Sequence, residues 1–296
     1  MSWLRQLLIG GLLVLLAAPA AAALQVAATT PNMGMLARTV GGEHVVIDVL
    51  APGDRDVHHL EARPSMMVAL RRADLLVAVG AELETGWLPA ALQGANNPAV
   101  LPGRPGYFEA AAAVTLEDAG GPADRGLGDV HPMGNPHVYF DPLRMGVAAE
   151  ALARQLAVLD PAHADEFAAN AAAFAARMQQ ETAGWRERAA GAPGVLLNHK
   201  DAVYLLRRLD VPVLGYLEPL PGIPPTARHV RDLIEELRGH EGLVMRMVYE
   251  PPQGADRVGE ALGWPVYVMQ NNVPVDGTAD DYVALIESWV RRLEVH

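Results

Sequence analysis

The chain has 296 residues, a hydrophobic fraction of 51% and a formal net charge of -12, enough for about two domains of roughly 150 residues each. The acidic balance argues against nucleic acid as a partner, because phosphate backbones require basic faces. With no cysteine in the chain, stability has to come from packing rather than disulfides.

In chain order, residues 1–23 read as a secretory signal peptide. Arg5 precedes the apolar run Leu7 to Leu16, and Ala17 to Ala23 offers small-residue cleavage options. The run is too short for a membrane span. No cysteine stands at the cleavage site to carry a lipid, so a soluble periplasmic protein without a membrane anchor is expected. Strands are predicted at Leu24–Thr29, Val45–Leu50 and Leu75–Val79, with a short one near Val100. Helices are predicted around Met33–Val40, Ser65–Arg72 and Glu84–Leu92. Residues 116–130 read as a surface loop.

A helix is expected from Asp141 to Leu159, then a longer one from Pro161 to Ala189, with Phe167, Ala171, Phe174, Met178 and Trp185 at helical spacing. After Gly191 the alternation resumes. Strands fall at Val195–Leu197, Val211–Tyr216, Leu243–Tyr249 and Val266–Met269. Helices fall at His199–Leu209, Thr226–Arg238, Ala255–Leu262 and Ala279–Leu293. Strands alternating with helices imply parallel sheets covered on both faces. The expected architecture is α/β: an N-terminal lobe (24–160), a rigid linking helix (161–190) and a C-terminal lobe (191–296), with a cleft between the lobes.

Chemistry concentrates around Gly134-Asn135-Pro136-His137-Val138-Tyr139-Phe140-Asp141-Pro142. The prolines pin His137 on a rigid turn, and Asp141-Pro142 suits the start of a helix. His58 lies just past the second strand and His199 just past Val195–Leu197. Ligands of open α/β sheets bind beyond the carboxyl ends of the strands, so all three histidines point toward the cleft. Three neutral imidazoles with one open position suit Zn²⁺, whereas manganese prefers carboxylates and water. From the residues alone, a metal site and three structural histidines both stay open.

Taken together, Asp56-Val57-His58 with Glu61 and Pro64-Ser65, then Asn135 to Pro142, Asn198-His199-Lys200, and Tyr216-Leu217-Glu218-Pro219-Leu220-Pro221-Gly222-Ile223-Pro224-Pro225 resemble the periplasmic metal-binding proteins of bacterial ABC importers, solute-binding family 9. The resemblance covers essentially the whole mature chain. It implies two α/β lobes on a long helix, a monomer that delivers a divalent metal ion to the membrane permease, and metal ligands at His58, His137 and His199. A histidine at the third position, where the manganese branch carries glutamate, implies Zn²⁺. The chain departs from the family at the fourth position: Met269-Gln270-Asn271-Asn272 stands where many members supply an aspartate. Water is then expected to complete the site, with Glu61, Asp276 and His59 as alternatives. The family's long His-rich loop is also missing, and His131 is the only histidine near the short 116–130 segment.

The remaining histidines, His44, His163, His229, His240 and His296, are expected to be solvated, with no convergent partners. Asp141 is expected to act as a helix cap. Glu218 and Glu250 are expected either as fixed acceptors beside the cleft or on the face toward the permease, and Lys200 is expected to point away from the ion. Two other functions stay in view: a manganese or iron carrier of the same family, and a zinc hydrolase or lyase using three histidines and water. No general base is placed near the ligands by the sequence.

Overall fold

The computed structural model describes residues 22–120 and 128–294. The expected signal peptide, except for its last two residues, and the middle of the 116–130 loop lie outside them. Among the described residues no helix is long and apolar enough to cross a membrane.

The first sheet contains β1 (Leu24–Ala28), β2 (Val45–Val49), β3 (Leu75–Ala78) and β4 (Tyr107–Glu109), interleaved with α1 (Pro31–Gly41), α2 (Pro64–Arg72) and α3 (Leu88–Ala95). Its strands are parallel in the order β2-β1-β3-β4. A helical pair follows, α4 (Pro142–Leu159) and α5 (Ala164–Arg188). The second sheet contains β5 (Gly194–Leu197), β6 (Val213–Tyr216), β7 (Gly242–Met247) and β8 (Val266–Met269). It is interleaved with α6 (Val203–Arg208), α7 (Ala227–Glu236) and α8 (Pro252–Leu262), and α9 (Ala279–Leu293) closes the chain. Its order, β6-β5-β7-β8, repeats the winding of the first sheet, again all parallel.

Strands buried on both faces have to be continuously apolar. Accordingly β3 (Leu-Leu-Val-Ala) and β5 (Gly-Val-Leu-Leu) are buried at every position. Helix starts follow the residues that satisfy free N–H groups. Thr30 caps α1 ahead of Pro31, Asp141 caps α4 ahead of Pro142, and Thr278 with Asp281 forms a capping box on α9. The long helix buries Phe167, Ala171, Phe174, Met178 and Trp185 as their spacing predicts, against α4, α1 and α9. A methyl on Gly146 would meet the Ala175 backbone at 3.1 Å, so the α4–α5 approach depends on that glycine.

Three expectations shift. The strand predicted near Val100 is a 3-10 turn, Pro98–Val100, and the edge strand is Tyr107–Glu109. The reason is that Asn97 accepts the Ala99 N–H at 3.1 Å and turns the chain at Pro98. The helix predicted from Glu84 begins at Leu88, because the buried Glu84 carboxyl accepts the strand-end N–H groups of Val79 (2.8 Å) and Gly80 (3.1 Å). The helix predicted from His199 begins at Val203, leaving Asn198–Ala202 irregular at the mouth of β5.

The two sheets are tied across the cleft. Asn32 of α1 donates to the Asn271 carbonyl at 2.8 Å and accepts the Val273 N–H at 3.1 Å. Tyr282 of α9 donates to the Tyr139 carbonyl at 2.8 Å. Arg208 of α6 donates to Asp141 at 2.7 and 3.1 Å. One continuous apolar core runs beneath these contacts, and a smaller cluster lies under α7 and α8.

Candidate metal centre

Two of the three histidines are oriented by the same local device. In Asp56-Val57-His58, Asp56 Oδ1 accepts both the backbone N–H of His58 (2.9 Å) and its Nδ1–H (2.7 Å). In Asn135-Pro136-His137, Asn135 Oδ1 accepts the backbone N–H of His137 (3.0 Å) and its Nδ1–H (2.7 Å). An Asp or Asn side chain that bonds the N–H two residues on forms an Asx turn, and here the imidazole is held by the same oxygen. The Asn135 amide is oriented from its other end, where Nδ2 donates to the Lys200 carbonyl at 2.9 Å. The first turn is held from below by the Trp87 indole, which donates to the Val57 carbonyl at 3.0 Å.

His199 lacks such a neighbour. Its Nδ1 donates to Glu218 Oε2 at 2.7 Å, from the segment after β6, and that carboxylate also accepts the Gly222 N–H at 2.8 Å. In all three histidines Nδ1 donates to an oxygen, which turns Nε2 toward the centre of the group, where it can bind a metal once it carries no proton.

The rings form a nearly equilateral triangle. Centroid separations are 5.3 Å (His58–His137), 5.4 Å (His58–His199) and 5.3 Å (His137–His199), and one ligand atom from each lies within 4.8 Å of the others. Tetrahedral zinc with bonds near 2.0–2.1 Å sets its donors about 3.4 Å apart, inside the 4.8 Å within which these three ligand atoms lie. The cleft beside it measures 260 Å³, with His58 and Asp56 on one wall and His199, Asp201 and Glu250 on the other.

Asp201 is buried, and its Oδ1 lies 3.2 Å from His137 Nε2. His137 Nε2 itself is buried and makes no hydrogen bond. His137 Nε2 thus faces a carboxylate away from water, an arrangement that is favourable only with a proton or a metal ion between them. On the outer side His131 brings its Nε2 to 3.3 Å from His58 Nε2.

Protonation divides the site. Burial, with His58, His199 and His131 close by, holds His137 well below the ordinary histidine value. Burial also pushes His199 down, but Asp201, Glu218 and Glu250 outweigh it and carry it up to about 10. Burial raises Asp201 to about 6 against the pull of His199 and His58. Burial and the nearby Asp201 raise Glu250 to about 8. Burial works upward on Asp56 as well, yet its bonds to His58 hold it well below the usual carboxylate range.

The structure thus brings His58, His137 and His199 together. His59 is exposed and faces Asp129 at 3.3 Å, and Glu61 and Asp276 are exposed. The amide stretch at the family's fourth position serves instead to join the lobes and brace the cleft. The Asn271 carbonyl accepts from the Asn32 amide, the Val273 N–H donates to the same side chain, and the Asn271 side chain donates to the Tyr249 hydroxyl at 3.0 Å. Asp141 caps α4 as expected. Glu218 is a fixed acceptor beside the cleft, and Glu250 is buried there as well. Lys200 lies over the Tyr216 ring, 5.4 Å from its centroid. The orienting roles of Asn135 and Asp56, and the presence of Asp201, were not foreseen from the sequence. The first two were detectable as an Asx two residues before a candidate ligand, whereas Asp201 carried no such signal. His44 and His163 are not isolated: their rings stack with centroids 3.7 Å apart.

Compared with known families, residues 26–295 match the family described as ZnuA, zinc-uptake complex component A, periplasmic. The chain is 23% identical over 265 residues to the high-affinity zinc uptake system protein ZnuA of Yersinia pestis, covering 85% of this chain and 82% of that protein. It is 26% identical over 209 residues to the iron-binding protein YfeA of Yersinia pestis, spanning 68% of this chain and 62% of that protein. Over 222 residues it is 22% identical to the manganese ABC transporter substrate-binding lipoprotein PsaA of Streptococcus pneumoniae, covering 73% of this chain and 68% of that protein. A crystal structure of ZnuA superposes with a TM-score of 0.74 at 21% identity, covering 91% of this chain and 98% of that one. The manganese complex of FpvC from Pseudomonas aeruginosa gives 0.73 at 22% identity, covering 92% and 96%.

Proposed function

The chain belongs to the ZnuA family of zinc-uptake complex components, and from that premise we propose that it captures Zn²⁺ in the periplasm and delivers it to the permease of an ABC importer. It is a carrier, not an enzyme. In this reading residues 1–23 direct export, and the mature chain works as a monomer of two lobes (24–160 and 191–296) on a linking helix (161–190). His58, His137 and His199 hold the ion through Nε2, and Asp201 supplies the fourth, anionic donor.

The observation that carries this reading is the buried opposition of His137 Nε2 and the Asp201 carboxylate at 3.2 Å, at one corner of a triangle of imidazole rings. A divalent cation between them makes that opposition favourable, and three nitrogens with one oxygen suit zinc. Capture and delivery need no bond-making chemistry. His137 is neutral and ready to bind, while His199 has to release its proton to solvent as the ion binds.

Metal analysis after equilibrium dialysis at low free zinc tests the proposal. The parent is expected to hold one tightly bound zinc, and the combined H58A/H137A/H199A variant none. A triple variant that holds zinc as tightly as the parent overturns the assignment. A manganese or iron carrier is the second reading, supported by the oxygen-rich C-terminal wall formed by Asp201, Glu218 and Glu250. Competition of manganese and ferrous iron against zinc for the metal-free chain decides between them.

A further inference from the structure

Outside the cleft, a second group of metal-binding side chains gathers at the opposite end of the first sheet. His44 ends the 3-10 turn Gly42–His44 that leads into β2, Asp160 and His163 frame the turn between α4 and α5, and Glu166 lies in the first turn of α5. The two imidazoles stack at 3.7 Å with 17° between their planes, over the edge of Phe167. His163 Nδ1 lies 2.6 Å from Asp160 Oδ2, and His44 Nε2 lies 2.9 Å from Glu166 Oε2. Ligand atoms of His44, Asp160 and His163 all fall within 4.8 Å of one another. Their side chains are 16%, 13% and 29% exposed, so they are ordered by packing yet reachable from solvent.

We propose that His44, Asp160 and His163, with Glu166 bonded behind His44, form a second divalent-metal site, independent of the cleft, that takes borderline transition ions such as Zn²⁺ or Ni²⁺. Two imidazole nitrogens in the donor set disfavour Ca²⁺ and Mg²⁺, which take oxygen. Each imidazole already has one nitrogen against a carboxylate oxygen, and the stacking holds the two rings side by side. A cation held by His44, Asp160 and His163 would draw the three donors together and leave Glu166 to orient His44. Asp165 and Glu166 in the first turn of α5 offset the positive end of the helix dipole. The bound ion would fasten the turn entering β2 to the start of the long helix.

The test uses the H58A/H137A/H199A chain, in which the cleft cannot bind, and measures zinc and calcium separately by equilibrium dialysis at free-metal levels above those that load the cleft. That chain is expected to retain one zinc, take no calcium, and show a higher Tm with zinc added. Adding His44→Ala with His163→Ala should weaken zinc binding by about 100-fold, and Glu166→Gln alone by about tenfold. The zinc-dependent rise in Tm should disappear in the former while circular dichroism shows the fold retained. A conservative His163→Gln variant gives a second test of the same loss. A cleft-deficient chain that binds no zinc overturns this site and leaves the cleft assignment standing. Equal zinc stoichiometry in parent and cleft-deficient chains sinks the cleft assignment instead. Unchanged affinity in the His44/His163 variant overturns this site outright.

Discussion

The N-terminal and C-terminal walls of the cleft both present imidazole, but by different means. On the N-terminal wall, His58 and His137 are oriented by residues two positions earlier, through a turn that also bonds their backbone. On the C-terminal wall, His199 depends on Glu218, which only the pairing of β5 with β6 brings alongside. Charge divides the same way. Burial keeps His137 neutral, whereas Asp201, Glu218 and Glu250 overcome burial to hold a proton on His199. In the proposed site one wall would meet the metal with a neutral imidazole, and the other would release a proton to solvent as the metal binds.

The largest effect expected is from removing a ligand. His137→Ala and His199→Ala should each weaken zinc binding beyond the ~10–100-fold typical of outer partners, measured by competition with a chelator. If His137→Ala binds zinc normally, the N-terminal wall is not part of the site.

Next come the orienting residues, where the two walls should part. Glu218→Ala and Asp56→Ala should each cost about 10–100-fold in affinity. Asp56→Asn should cost less, because the amide oxygen still accepts both bonds, as Asn135 already does. Equal losses for Asp56→Asn and Asp56→Ala would mean that charge rather than orientation matters there.

Proton exchange sharpens the comparison further. With His199 carried up to about 10, the metal-free chain holds that proton at pH 7 and zinc must expel it. Affinity should therefore rise about tenfold per pH unit between neutrality and that value. Calorimetry in buffers of different ionisation enthalpy should report about one proton released. Glu218→Gln should reduce that release, and a parent that releases none would remove the electrostatic distinction between the walls.

The smallest effect should come from the tie between the lobes. Asn32→Ala leaves the Asn271 carbonyl and the Val273 N–H without their partner, a cost of about 1–3 kcal/mol for each buried group. Thermal unfolding of the metal-free chain should show it, with zinc affinity nearly unchanged. Lost affinity with unchanged stability would place Asn32 in the site itself.

Much of this was legible in the residue order. The alternation of apolar runs with helical periods foretold both sheets and the long helix, and Asp141-Pro142 foretold the start of α4, whereas α1 begins at Pro31, two residues before the expected Met33. The three histidines were recognisable by their places after strands or on a pinned turn. Asp201 was not, since the helix expected from His199 would have carried it into regular structure, and only the irregular stretch before Val203 turns it inward. Nor was the His44–His163 pair, whose members lie far apart in the sequence and meet only where α5 packs on α1.

By itself the sequence determined whatever depends on contacts a few residues apart: strand and helix periods, caps, and the two turns in which an Asx oxygen holds a histidine. Such bonds form wherever the chain goes, because both partners ride on the same short segment. Tertiary structure alone decided the Glu218–His199 bond, the carboxylate facing His137 and the stacked ring pair. Each joins segments whose separation is set by strand order and helix packing, and no local pattern records that distance.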